Sequence, residues 1–288
     1  MLRGLYTAAS GMIAQQRRHD TVTNNIANLN TPGFKAMNSM TRAFPEMLVS
    51  AMGGDNVRSG PIGKLNTGVF AEENRLSFGQ GDLSETQRPQ DLAIVSDIFV
   101  DGATFDSSGK YVDPNGNVIY QPQAFFTIQS ADGGREYTRD GSFKTAPDGT
   151  LLTSDGAAVL GVGGQPIVMN GSWEDVTVRA DGVLYSKALQ QPLPGSPQVL
   201  LTVVNDPNQL VRQGNGRFQY EGDPAGIRQL AAGDRVQVRQ GYLERSNVDS
   251  AQSMVDIMSA LRVYEANQKV IQFYDSSLQK AVNDIGKV

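Results

Sequence analysis

From Leu2 to Leu29 the apolar residues Leu2, Leu5, Tyr6, Met12, Ile13, Val22, Ile26 and Leu29 recur mostly three, four or seven positions apart, with Gln15, Gln16, Arg17, Arg18 and Asp20 between them. This spacing predicts an amphipathic helix, and the pattern alone favours one lying on the core of its own domain. The far end repeats the signal over a greater length. Met254, Ile257, Met258, Leu261, Tyr264, Ile271, Tyr274, Leu278, Val282 and Ile285 form a stripe between Val248 and Ile285, with no Gly or Pro before Gly286. Ser246 followed by Asp249 is close to a capping box with a carboxylate near the positive helix end, so this helix is expected to start near Asn247. At ~1.5 Å per residue the rod is about 58 Å long, more than a compact domain of this size needs. Part of the stripe must therefore meet something outside the domain, and the N-terminal helix is the nearest candidate.

Between the helices the apolar runs shorten to AFFTIQS, LLTS, AAVLG, PIVM, VTVR and VLYS. They are separated by Asp132-Gly133, Asp140-Gly141, Asp148-Gly149, Asp155-Gly156, Gly163-Gly164, Asn170-Gly171 and Asp181-Gly182, the dipeptides of type I′ hairpin turns. A mostly antiparallel β domain is expected over 92–239, with Phe125, Phe126, Phe143 and Trp173 in its core. The preceding stretch, which holds GGDN, RSGPIGK and SFGQGD, reads as a long connection with some strand content. The fold class is α+β, divided into 1–35, 36–91, 92–239 and 240–288.

The first helix ends in NNIANLNTPGFKA, Asn24 to Ala36. Pro32 excludes helical geometry at Thr31, and Pro-Gly suits the centre of a type II turn, so the helix should stop between Asn28 and Asn30. Asn24, Asn25 and Asn28 then lie on its last turns, where an amide caps carbonyls or bridges to another helix. Simple capping accounts for one asparagine but hardly for four.

Composition removes several kinds of chemistry. Thirty acidic residues against 25 basic ones give a net charge of −5 without a basic cluster, which argues against nucleic acid as a partner. With no cysteine there is no disulfide, zinc-thiolate site or thiol nucleophile. Neither a cleavable secretion signal nor an apolar run long enough to insert into a membrane is visible. The single histidine, His19, sits among helix-face residues and reads as solvated or packed. GATFDSSGKY has the wrong glycine spacing for a phosphate loop. DPNGN, Asp113 to Asn117, imitates the start of a calcium loop but has Val118 where glycine is required. No cofactor, metal or catalytic group is expected, and an enzyme is disfavoured.

The run NNIANLNTPGFK resembles the N-terminal signature of bacterial flagellar hook–basal body (rod) proteins, and GYLERSNVDSAQSMVDIMSALRVYEANQKVIQ resembles their C-terminal one. Between them DLAIVSD, FFTIQ, YTRDGSFKTAPDGTLLTSDGAAVLG and GQPI resemble the rod-protein β domain in order and spacing. The opening MLRGLYTAASGMIAQQRRHD is most similar to rod proteins of Gram-positive bacilli. The chain departs from the family by an insertion of about 25 residues, near 98–123, within the stretch from Ser96 to Ala124 that precedes FFTIQ. The resemblance implies terminal helices paired as a coiled coil around a central channel, with the β domain outside. It also implies self-assembly with other rod or hook proteins, and export by the flagellar type III apparatus without a cleaved signal.

Within that scheme Asn24, Asn25, Asn28, Thr31, Gly33 and Phe34 hold the helix end, its turn and contacts with adjacent helices. Ser246, Asn247 and Asp249 start the long helix, while Leu261, Tyr264, Glu265, Ala266 and Asn267 lie where helices of different subunits approach. Two other classes share these features: a secreted β-rich binding module or adhesin with helical arms, and a wall-degrading enzyme, which would need an acid pair in a cleft.

Overall fold

The computed structural model describes residues 2–50, 61–98, 100, 102–106, 109–130, 132–169, 171–231 and 233–285. The GGDN signal, the RSG of RSGPIGK, the paired serines of GATFDSSGKY, Asn170 and Gly286 lie outside the described residues. The fold is α+β, and the chain divides into two compact units. One comprises Met1–Ala27, Met37–Arg75 and Asp249–Val288, the other Asn28–Ala36 and Leu76–Val248.

The first unit is built on two helices, α1 (Leu2–Ala27) and α2 (Ser250–Lys280), the latter continued by a wider π-type turn over Ala281–Ile285. They run antiparallel, with Gly4 against Tyr274, Gly11 against Asn267 and Arg18 bonded to Asp256 at 2.7 Å. Along α2 the positions turned inward are Ser253, Ile257, Ala260, Tyr264, Asn267, Ile271, Tyr274 and Leu278, alternately four and three apart. The expected α2 stripe is therefore divided: Met254, Met258, Leu261 and Val282 are exposed. On α1 the buried residues include Ala8, Ala14 and Val22, whereas Tyr6 and Ile13 face outward. Small side chains allow close approach. A Cβ at Gly4 would lie 2.1 Å from the Tyr274 hydroxyl, so the glycine makes room for the ring. The connection after α1 supplies two antiparallel pairs, Thr41–Ala43 with Val69–Ala71 and Met47–Ser50 with Pro61–Leu65.

The second unit is a β domain centred on Gln123–Gln129, six of whose seven residues are buried. This strand pairs antiparallel with Arg135–Thr138 on one side, and with Leu201–Val204 and Ala158–Val159 on the other. Further antiparallel pairs extend it to nine strands. The four aromatics expected in the core are buried there. Phe126 and Phe143 meet edge to face at 5.1 Å, and the Trp173 indole donates to the Thr145 hydroxyl. Burial on both faces suits the apolar run AFFTI.

The turns differ from the expected type. At Asp148-Gly149, Asp155-Gly156 and Asp181-Gly182 only the glycine has positive φ, so these are type I turns closed by a left-handed glycine. The aspartates favour them through their side chains: the Asp148 and Asp181 carboxylates accept the backbone N–H two residues on. A type I′ pair does occur at Asn215-Gly216, where both φ angles are positive. DPNGN forms the turn of a hairpin between Lys110–Val112 and Val118–Tyr120, with Asp113 accepting from Asn115 and Asn117. PIVM makes isolated bridges instead of a strand.

Candidate functional site

The segment that follows α1 is folded into the β unit, beginning with a turn. The Thr31 N–H and hydroxyl both donate to Asn28, and the Phe34 N–H donates to the Thr31 carbonyl. Gly33 takes the left-handed position of this turn at φ 67°. A Cβ on Gly33 would come within 2.5 Å of the backbone of Arg139 and Asp140, so the close approach also demands glycine. Phe34 is buried, with the Arg212 guanidinium 4.2 Å over its ring.

Lys35, next in sequence, enters a cluster of charges. Its Nζ donates to Glu244 Oε1 at 2.6 Å and to the Gly79 carbonyl at 2.9 Å. Arg139 Nη1 donates to the other carboxylate oxygen, Oε2, at 3.0 Å, while Nη2 reaches Ser96 Oγ and Gln123 Oε1. All three side chains are essentially inaccessible to solvent. Burial, seconded by the Arg139 charge, pulls the Lys35 ammonium from 10.5 down to about 8. Burial pushes the Glu244 carboxyl upward, but Arg139 and Lys35 outweigh it and hold the group below its ordinary value. The backbone extends the clasp: the Gly33 N–H donates to the Glu244 carbonyl at 2.8 Å and the Gly81 N–H to Oε1 at 2.9 Å.

Asn247 completes it. Its Oδ1 accepts from the Ala36 N–H at 2.7 Å and its Nδ2 donates to the carbonyls of Ser77 and Gly79. Ser246 Oγ accepts from the Val248 N–H, but the helix cap is Asp249, whose Oδ1 takes the N–H groups of Ala251 and Gln252. The start of α2 is thus three residues later than expected, because aspartate supplies the acceptor where the chain turns. Thr31, Gly33, Phe34 and Asn247 are brought together in the clasp, with Asn28 at the entrance to its turn.

The other anticipated residues lie in the helical unit. Asn25 is buried and exchanges two hydrogen bonds with the backbone of Met37, at 2.8 and 2.9 Å, so its amide pins the returning chain. Asn24 is exposed on α1. Tyr264 and Asn267 face α1, while Leu261, Glu265 and Ala266 are exposed. Leu261 and Tyr264 line a groove of about 280 Å³ with Gln15, Gln16, His19 and Asp20.

Lys35, Arg139 and Glu244 were not anticipated as a group. Each stands in a motif already noted, NTPGFK, YTRDG and GYLERSNV, and the signal was a single charge beside residues otherwise apolar or turn-forming.

Family models match three parts of the chain: "Flagella basal body rod protein" over residues 5–35, "Flagellar hook protein FlgE/F/G D1 domain" over 120–186, and "Flagellar basal body rod FlgEFG protein C-terminal" over 239–284. The flagellar hook-basal body complex protein FlhO of Bacillus subtilis is 35% identical over 292 residues, covering all of both chains. The flagellar basal-body rod protein FlgF of Caulobacter vibrioides is 31% identical, again over the whole of both. FlgG of Buchnera aphidicola is 31% identical over 97% of this chain and 98% of its own. The matched ends contain Lys35 and Glu244, and with full-length relatives at this identity the chain belongs to the flagellar hook–basal body rod protein family.

Proposed function

We propose that this protein is a structural subunit of the flagellar basal-body rod that assembles through its terminal helices into a hollow axial structure after type III export. The observation that carries this reading is the outer surface of α2, where Met254, Met258, Leu261 and Phe273 are 60%, 51%, 44% and 70% exposed. Fully burying such a side chain is worth roughly 1.5–3 kcal/mol, about half of which is still to be gained at each of these positions, and among the described residues nothing covers them. Copies of the chain and other rod or hook proteins are the partners that would cover them, and repeated head-to-tail contacts of this kind build a helical filament.

The four-three alternation along the inner face of α2 supports pairing with α1 as a coiled coil. In this scheme Asn24, Asn25, Asn28, Thr31, Gly33 and Phe34 set the end of α1, Ser246, Asn247 and Asp249 set the start of α2, and Leu261, Tyr264, Glu265, Ala266 and Asn267 mark where subunits meet. Among the described residues no helix is long and apolar enough to cross a membrane, which fits an exported subunit placed in the basal body without insertion. Its partner on the way out is the flagellar export apparatus, reading an uncleaved N-terminal signal.

Substituting Met258→Asp and Leu261→Asp together tests the reading. The monomer should keep its native β-sheet spectrum while cells lose rods and motility; normal rods in that strain would overturn it. Removal of residues 2–20 should separately leave the protein in the cytoplasm.

A further inference from the structure

We propose that Lys35, Arg139 and Glu244 form a charge gate, through which residues 28–36 seat on the β unit only when the Glu244 carboxylate is in place. Two cations point at one carboxylate, one per oxygen, in a pocket closed to solvent. Without the anion, seating Lys35 beside Arg139 would either leave two unpaired positive charges in the pocket or strip the lysine of its proton, and both are unfavourable. The two cations are not equivalent. Arg139 is tied to Ser96 and Gln123, so it belongs to the sheet. Lys35 rides on the segment that follows α1, and it is the charge that can stay away.

Glu244 ends Tyr242–Glu244, a strand paired with Leu83–Glu85. The same stretch delivers the other partners of the N-terminal segment, the Glu244 carbonyl for the Gly33 N–H and the Asn247 amide for Ala36. The chain leaving α1 and the chain entering α2 therefore become ordered in a single event. Glu244 joins both cations, whereas Arg139 alone would drive Lys35 out. This separates a gate from ordinary adhesion: removing the anion should be worse than removing the anion and Lys35 together.

Amide hydrogen exchange on the full chain tests it with Glu244→Gln, Lys35→Met and the double variant. Glu244→Gln should speed exchange across residues 28–36 by about tenfold or more, and adding Lys35→Met should restore most of the protection. If Glu244→Gln does not fold, recovery of the native circular-dichroism spectrum in the double variant becomes the readout. Unchanged protection in Glu244→Gln would overturn the gate. So would a double variant as unprotected, or as unfolded, as the single one.

Discussion

Lys35 shows how a residue can be expensive and still belong to a stable site. Its unfolded-state value lies near 10.5 and its folded one near 8, because burial and then Arg139 disfavour the ammonium more than Glu244 favours it. Between those values the unfolded chain binds more protons, so stability from this group rises as pH climbs from 8 toward 10.5. Lys35→Met removes that linkage. Wild type should therefore gain on Lys35→Met between pH 7.5 and 10, by on the order of 2 kcal/mol, in urea unfolding followed by Trp173 fluorescence. Glu244 acts with the same sign in a lower pH window: its carboxyl is held below the ordinary value, so its contribution is present above the ordinary carboxylate range and is lost as pH falls through the folded value. None of this was legible residue by residue. A lysine after a turn, an arginine in a hairpin and a glutamate at a strand end each look like surface charges until the fold closes them around one another.

At the scale of the element, the sequence announced the helices and most of the sheet, and the errors have physical causes. Apolar periodicity located α1 and much of its inward face, with Val22 buried and Leu5, Met12 and Ile26 half-buried, but it also counted Tyr6 and Ile13, which point outward, and it passed over the glycine and alanine that carry the close contact. A hydrophobicity pattern weights bulk, while helix approach at Gly4 and Gly11 depends on its absence. Gly11→Leu should force the helices apart and cost about 1–3 kcal/mol, seen as a lower melting temperature at 222 nm. Gly11→Ala should be nearly neutral, because the atoms nearest a Cβ there belong to the side-chain amide of Asn267, the far end of a flexible side chain that can shift, and alanine is the better helix former. The cap of α2 gives a sharper test. Asp249→Ala removes the acceptor of two N–H groups and should cost about 1 kcal/mol, with faster exchange at Ala251 and Gln252 and none at Gln123–Gln129. The clasp was half visible: TPG predicted its turn and the glycine geometry, but Asn247 reads as a helix-start residue until Ala36, Ser77 and Gly79 surround it.

For the whole molecule, the two units differ in what holds them. The β unit buries Phe125, Phe126, Phe143, Phe218, Leu92, Ile94, Ile128, Leu151 and Leu184 almost completely. Among the described residues of the two helices the buried ones are Ala8, Ala14, Thr21, Val22, Asn25, Ser253 and Ala260, smaller and partly polar, while the bulkier Met254, Met258 and Phe273 are exposed. Burial free energy follows apolar area removed from solvent, so the helical unit has much the smaller reserve in an isolated chain. Trp173 is the only tryptophan and is buried in the β unit, and the long helices dominate ellipticity at 222 nm, so two probes report two units. In urea the 222 nm signal of the free monomer should be lost first, with the Trp173 transition following at higher denaturant. In assembled rods, where neighbours would cover the exposed α2 positions, the helical transition should move up toward the second. Coincident transitions in the free monomer would mean that the helices need no partner for their stability, and would remove the physical reason for reading the exposed face of α2 as an assembly surface.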